Sequence, residues 1–338
     1  MVTARSSEAA DVGEFRTAPT RIAGERDRRL ALAARALLYH HAFLDDLLRG
    51  LQPHDLVLLG AETGAGKTEL GTAVARANAM AGKRVYYFAL EAEPDEIERR
   101  SKYAIIAELA EKAGDARRSE LNYPDWLVGN CEDICERYNA RADQLIAEKL
   151  SKLHTYYRGA NFGHADIQRM FERIRGHAEL VVLDHLHYVD IEDENEHRGF
   201  KATVKLIREL ALSAGVPVIL IAHLRKRDQR ARQVVPHIED FHGSSDIIKI
   251  CTQVVQLAPA HILESPKWFY APTFVHVPKD RRGGATGFVA CCYFDRRFRA
   301  YAPHYTLGRL TSGGTDWEPI RPGDAPRWAR RHRDMEAT

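Results

Sequence analysis

The apolar positions of the chain follow two periods. Leu56-Val57-Leu58-Leu59, Val85 to Leu90, Leu180-Val181-Val182-Leu183 and Val216 to Ile221 are short, nearly unbroken apolar runs. A strand with no polar face is one covered on both faces, as in a parallel sheet flanked by helices. Elsewhere apolar residues recur at helical spacing: Leu30, Leu32, Ala33, Leu37 and Leu38 within residues 24–41, then Phe43 to Leu51, Glu69 to Ala81 and Phe200 to Ser213. Residues 94–178 read as mostly helical, with a break at Tyr123-Pro124. Val254 to Leu257, Thr273 to Val277 and Gly287 to Phe294 predict further strands. The alternation predicts an α/β fold: a mostly parallel twisted sheet, helices on both faces, and a site beyond the C-terminal ends of the strands. Residues 1–20 read as disordered, 21–41 as a separate helix, 42–302 as the main domain, and 303–338, rich in Pro, Gly and Arg, as a loose tail.

Composition narrows this only slightly. The 338 residues carry a formal charge of +2, so any basic surface for nucleic acid must be local. No apolar run approaches the ~20 residues of a membrane span. The N-terminus holds Glu8, Asp11 and Glu14 and has no apolar core of a leader, so the expectation is a cytoplasmic protein. Five cysteines lack a second pair at zinc-site spacing and read as reduced thiols.

The chemistry starts at Ala61-Glu62-Thr63-Gly64-Ala65-Gly66-Lys67-Thr68, a phosphate-binding loop between a buried strand and a helix. Its glycines let successive N–H groups face phosphate oxygens, Lys67 reaches the β- and γ-phosphates, and the Thr68 hydroxyl ligates Mg2+. Thr63, Gly64, Ala65, Gly66, Lys67 and Thr68 are thus the expected ATP contacts of a P-loop, RecA-like ATPase. Three later strands end on chemistry of their own. Glu91 is placed to polarise the water that attacks the γ-phosphate, or else to cap the following helix. Asp184 closes a Walker B pattern and is the expected second Mg2+ ligand. His223 stands where it can touch the γ-phosphate. Directly after it, Arg225, Lys226, Arg227, Arg230 and Arg232 put five cations in eight residues. Such a loop is either merely solvated or a grip on a nucleic-acid backbone. Lys279 and Arg281 fall at an expected hairpin tip facing away from their own P-loop. That tip is either inert or an arginine finger for a neighbouring copy.

These stretches together resemble the DnaB-type ring helicases, nearest the phage helicase-primase and Twinkle branch. The resemblance is carried by Leu56 to Thr68, Ala79 to Glu91, Val182 to Val189, Val216 to Arg225, Ile238 to Leu257 and Lys279 to Gly287, in family order over residues 42–302. It implies a hexameric ring of RecA-like motors around single-stranded DNA, with ATP and Mg2+ held between subunits. By matching motifs, Glu91 resembles the catalytic carboxylate, Asp184 the Walker B aspartate, His223 the γ-phosphate sensor, and Arg281 with Lys279 the finger acting in trans. Arg225, Lys226 and Arg230 fall in the second DNA-binding loop, and the helix near residues 25–40 resembles the linker that docks on the adjacent subunit. The chain departs from the family at His187, where many relatives carry glutamine, and at Thr252-Gln253, where a common aspartate is missing. An acidic stretch also follows Asp184.

Two functions follow. The first is an ATP-driven single-stranded DNA translocase or helicase working in replication of a phage, plasmid or mobile element, with replication proteins as partners. The second is a regulatory or assembly ATPase (a loader, recombination mediator or defence component) that hydrolyses without unwinding. A small-molecule kinase fits less well, because the Lys279/Arg281 hairpin stands far from the P-loop.

Overall fold

A computed structural model describes residues 15–62, 64–130, 132–191, 193, 195–224, 233–241, 244–283 and 285–333. Its strands are β1 Leu56–Ala61, β2 Val85–Ala89, β3 Leu153–Tyr157, β4 Leu180–Asp184, β5 Val218–His223, β6 Gln253–Pro259, β7 Tyr270–Asp280, β8 Val289–Asp295, β9 Ala300–Tyr301, β10 Thr306–Leu310 and β11 Trp317–Pro319. The helices are α1 Ala18–Ile22, α2 Glu25–Ala34, α3 Ala42–Leu48, α4 Lys67–Met80, α5 Glu96–Lys112, α6 Tyr123–Leu127, α7 Glu132–Lys149, α8 His164–Ile174, α9 Glu196–Ala214 and α10 Ser244–Ile250. The strands form one sheet in the order β11-β10-β8-β7-β6-β1-β5-β4-β2-β3, with β9 paired to β8. From β3 to β6 every pairing is parallel. From β7 outward the strands are antiparallel.

Alternate residues of each central strand serve two cores, as the unbroken apolar runs require. Val57, Leu59, Val182, Ile219 and Ile221 pack with α3 and α4 on one face. Leu56, Leu58, Val181, Leu183, Val218 and Leu220 pack with α8, α9 and α10 on the other. β1 lies at the centre, wholly buried. The chain leaves it through α4 and lands on β2, three places away, so β5 and β4 later insert between them. β6 then joins the other side of β1, which makes the end of β1 the switch point where such sheets bind ligands.

The structure corrects several expectations. β3 is a strand inside the region read as helical. It is an edge strand, mostly half-exposed, so Leu153-His154-Thr155-Tyr156-Tyr157 lacks the apolar run that marks the central strands. The break expected at Tyr123-Pro124 falls between α5, which ends at Lys112, and α6, which begins at Tyr123, as suits proline in a first turn. The helix expected to reach His41 stops at Ala34, and Leu37 turns to pair with Leu51 through two 2.8 Å backbone bonds. No residue of α1 or α2 is buried, and Leu30 is half exposed. Of the segment read as disordered, residues 1–14 lie outside the described ones, while Ala18–Ile22 is helical.

The tail is not loose. β10 and β11 extend the sheet beside β8. Trp317 is buried there against Phe274, and its Nε1 donates to the Val289 carbonyl at 3.1 Å. The Tyr305 hydroxyl donates to Asp46 of α3 at 2.8 Å. Gly and Arg lower the mean hydropathy of the tail, but its few large apolar side chains alternate and find partners.

A buried polar network occupies the N-terminal edge of the sheet. The Tyr39 hydroxyl donates to Gln253 Oε1 at 2.7 Å, and Gln253 Nε2 stands 3.4 Å from Asp280 Oδ1. Thr252 donates to Asp55, which Arg282 meets at 3.2 Å.

Candidate nucleotide site

The site stands where β1, β2, β4 and β5 end. Ala61 lies level with His223, and Asp184 level with both Ile221 and Ala89. The loop after β1 turns through Gly64 and Gly66, both at positive φ (+83° and +82°), and enters α4 at Lys67. Glycine tolerates this region, and the turn brings the first N–H groups of α4 to the site. Thr63 lies outside the described residues. Ala65 is held from below, its carbonyl 3.4 Å from the Tyr301 hydroxyl. A Cβ on Gly66 would meet that same hydroxyl at 2.9 Å.

Lys67 is buried with two carboxylates for company. Burial lowers its ammonium below the ordinary lysine range, while the Glu91 and Asp184 charges oppose that shift. Asp184 is 3% exposed. Burial pushes its carboxyl up, yet contact with His185 and hydrogen bonds from Tyr87 and Thr68 outweigh this and hold it below the usual range. The Tyr87 hydroxyl donates to Asp184 Oδ2 at 2.6 Å, and burial beside that charge raises the Tyr87 phenol well above its usual value. An ionised carboxylate already touching the Thr68 hydroxyl, with Asp184 Oδ1 accepting no hydrogen bond among the described residues, is a donor set that fits Mg2+.

Glu91 is partly open to solvent. One of its oxygens contacts His185 Nδ1 and lies 3.9 Å from His223 Nε2. The two imidazoles stack with centroids 4.5 Å apart and planes 5° apart. Burial, Lys67 and His185 lower the His223 pKa below 6.5, against the pull of Glu91 and Asp184. His187 sits behind, its Nδ1 3.5 Å from the His223 backbone N–H.

The structure therefore brings Lys67, Thr68, Glu91, Asp184 and His223 together. It does not bring Lys279 or Arg281 to them. β7 runs antiparallel to β6, so its end stands at the opposite edge of the sheet, ~20 Å away at about 3.3 Å per strand residue. Lys279 is not at a hairpin tip but inside β7, paired with Val254. Its ammonium donates to the Ile248 and Lys249 carbonyls at 2.6 and 3.1 Å, at the end of α10. Of the two, Arg281 alone is exposed, in the turn after β7. Arg225, Lys226, Arg227, Arg230 and Arg232 lie outside the described residues.

Sequence reasoning missed Tyr87, His185 and Tyr301. Tyr87 belongs to an apolar run and carried no mark beyond its hydroxyl. His185 had a signal, two histidines spaced by one residue directly after the Walker B aspartate. Tyr301 is remote in sequence, and only the β8–β9 pairing carries it under the loop.

The model of the DnaB-like helicase C-terminal domain matches residues 38–302. Among solved structures, a DnaB-like replicative helicase, described with its interactions with primase, superposes with a TM-score of 0.67 at 15% identity, covering 86% of this chain and 67% of that one. A solved ATPase domain superposes at 0.66 and 15%, covering 86% and 99%. A KaiC-like protein from the hyperthermophilic archaeon Pyrococcus horikoshii OT3 gives 0.50 at 16%, covering 79% and 99%. At these identities the structural likeness speaks to the RecA-like fold. The family match extends over most of the sequence, and with it the chain belongs to the DnaB-like helicase C-terminal domain family.

Proposed function

We propose that the chain is an ATP-hydrolysing motor that assembles as a ring on single-stranded DNA. The observation that carries this reading is the convergence of Lys67, Thr68, Glu91, Asp184 and His223 on the ends of four neighbouring strands, with Arg281 left exposed at the opposite edge. Lys67, oriented by the two carboxylates, meets the β- and γ-phosphates. Thr68 and Asp184 hold Mg2+, which when bound offsets phosphate charge in the transition state. Glu91 orients and polarises the attacking water. His223, close to Glu91 and at the end of β5, is placed to pass a change at the γ-phosphate to residues 225–232. Arg281 completes the site of the next copy. We assign residues 42–302 to the motor and residues 21–41 to contact with that copy, a role suited to the unburied α2.

The test is ATP turnover with and without a single-stranded oligonucleotide, joined to strand displacement on forked DNA. The expected result is turnover stimulated several-fold by the oligonucleotide, lost in Lys67→Ala, with displacement of the complementary strand. Turnover without displacement selects the regulatory or assembly ATPase instead. Turnover that is indifferent to the oligonucleotide overturns the motor.

A further inference from the structure

Phosphate chemistry leaves one feature of the site unused. Two histidines crowd its carboxylates, and His185 is only 2% exposed. Its Nδ1 contacts Glu91 and lies 2.9 Å from Asp184 Oδ1, yet neither ring nitrogen makes a hydrogen bond among the described residues. An imidazole nitrogen buried without a partner costs free energy that a ligand would recover. One donor atom each from Glu91, His185 and His223 lies within 4.8 Å of the other two. The near-parallel stacking of the two rings holds both imidazoles beside the Glu91 carboxylate. Metal–ligand bonds of about 2.0–2.2 Å put neighbouring donors roughly 3–4 Å apart, so a shift of about one ångström gathers the three. Glu91 and His223 are partly solvent-exposed, at 39% and 27% of their side chains, which leaves the ion a way in.

We propose that Glu91, His185 and His223 form a second cation site, for a transition ion such as Zn2+, distinct from the Mg2+ position at Thr68 and Asp184. Two imidazoles and one carboxylate are a borderline donor set. Mg2+ prefers oxygen and keeps its water, whereas Zn2+, Co2+ and Mn2+ accept this combination with open positions left over. The regulatory consequence rests on the proposed function: an ion there ties up the carboxylate that orients water and the histidine beside it. Micromolar Zn2+ then silences hydrolysis even with Mg2+ in excess.

Binding is tested apart from turnover. Tag-free full-length protein is titrated with Co2+ alone, without nucleotide, and followed by its visible absorption and by competition with Zn2+. The expected result is one tightly bound ion per chain, displaced by Zn2+, with affinity lowered at least ten-fold in His185→Gln and in His223→Gln. Circular dichroism checks that each variant folds, and the more exposed His223 carries the test if His185→Gln does not. Thr68→Ala binds Co2+ as the wild type does, which separates this site from the Mg2+ position. Absence of Co2+ binding below millimolar concentration, or wild-type affinity in both histidine variants, overturns the site. Turnover in Mg2+ gives the second arm. A loss of at least ten-fold on adding Zn2+, reversed by a chelator, supports the inhibition, and unchanged turnover with Zn2+ bound overturns it. A protein that binds Co2+ as expected but never hydrolyses ATP keeps the metal site and loses the motor.

Discussion

Tyr87 joins His185 in holding the Asp184 charge, from a strand that is mostly buried. Its hydroxyl donates to Asp184 Oδ2, while Oδ1 accepts no hydrogen bond among the described residues. A hydrogen bond to a charged group contributes about 1.5–3 kcal/mol. Tyr87→Phe is therefore expected to lower stability by ~2 kcal/mol and to shift the Mg2+ dependence of ATP turnover, read by denaturant unfolding and by Mg2+ titration. Acid acts through other residues. Burial lowers His41 and His276 from 6.5 to about 4. The unfolded chain then binds protons that the folded chain refuses, so the stability these groups contribute is present above pH 6.5 and is lost as pH falls through 4. Asp45, raised from 3.8 to about 6 mainly by burial, acts in the opposite sense: its contribution is present below pH 3.8 and lost as pH rises through 6. His40 and His223 are also lowered and side with the first pair. The melting temperature is expected to fall between pH 7 and pH 5, with a shallower slope in His276→Gln. A melting temperature that rises over that interval contradicts the assignment.

At the scale of elements, close approach decides which substitutions the sheet tolerates. A Cβ on Gly60 would lie 2.1 Å from the Phe241 ring, so the segment after β5 packs directly on the β1 backbone. Overpacking of this kind costs about 1–3 kcal/mol. Gly60→Ala is expected to destabilise by that amount, and Phe241→Leu to recover part of it in the double variant; simple additivity would count against the clash. The elements that were legible in the sequence are those whose periodicity is strong. β1, β2, β4 and β5 lie inside the sheet and announced themselves as apolar runs, and Glu91, Asp184 and His223 followed from the ends of β2, β4 and β5. β3 and β11 were not legible, because a sheet edge asks little of its side chains and the partner strand supplies the order. His185 escaped for a related reason: its neighbours in space, Glu91 and His223, come from two other strands. The same holds for Lys279, which reads as a surface cation until β7 is seen to carry it onto the end of α10.

For the whole molecule, the position of Arg281 is the main constraint. Its own P-loop lies at the far edge of the sheet, so the Arg281 side chain has no route to the γ-phosphate within one chain. Arg281→Ala is expected to keep ATP binding but to lose turnover by roughly 10³-fold or more, the scale of an arginine finger. Glu91→Ala fails for a different reason, with its finger intact. Mixed assemblies of the two variants should regain activity, because some interfaces pair an intact Glu91 with an intact Arg281. Absence of any recovery in mixed preparations contradicts action between copies. No helix among the described residues is long and apolar enough to cross a membrane, and no residue of α2 is buried.

The buried network of Tyr39, Gln253 and Asp280 has a mechanical consequence. Tyr39 lies five residues beyond α2, within residues 21–41, and Asp280 immediately precedes Arg281. One glutamine side chain thus clamps together the strap by which a copy would hold one neighbour and the trigger it would offer to another. A pull on the strap would reach the trigger over two hydrogen bonds, of 2.7 and 3.4 Å. Gln253→Leu cuts that linkage while filling the same space. Its expected signature is a ring that still assembles and still hydrolyses, but in which the firing of one site no longer sets the timing of the next, read as a loss of cooperativity in the ATP dependence of turnover.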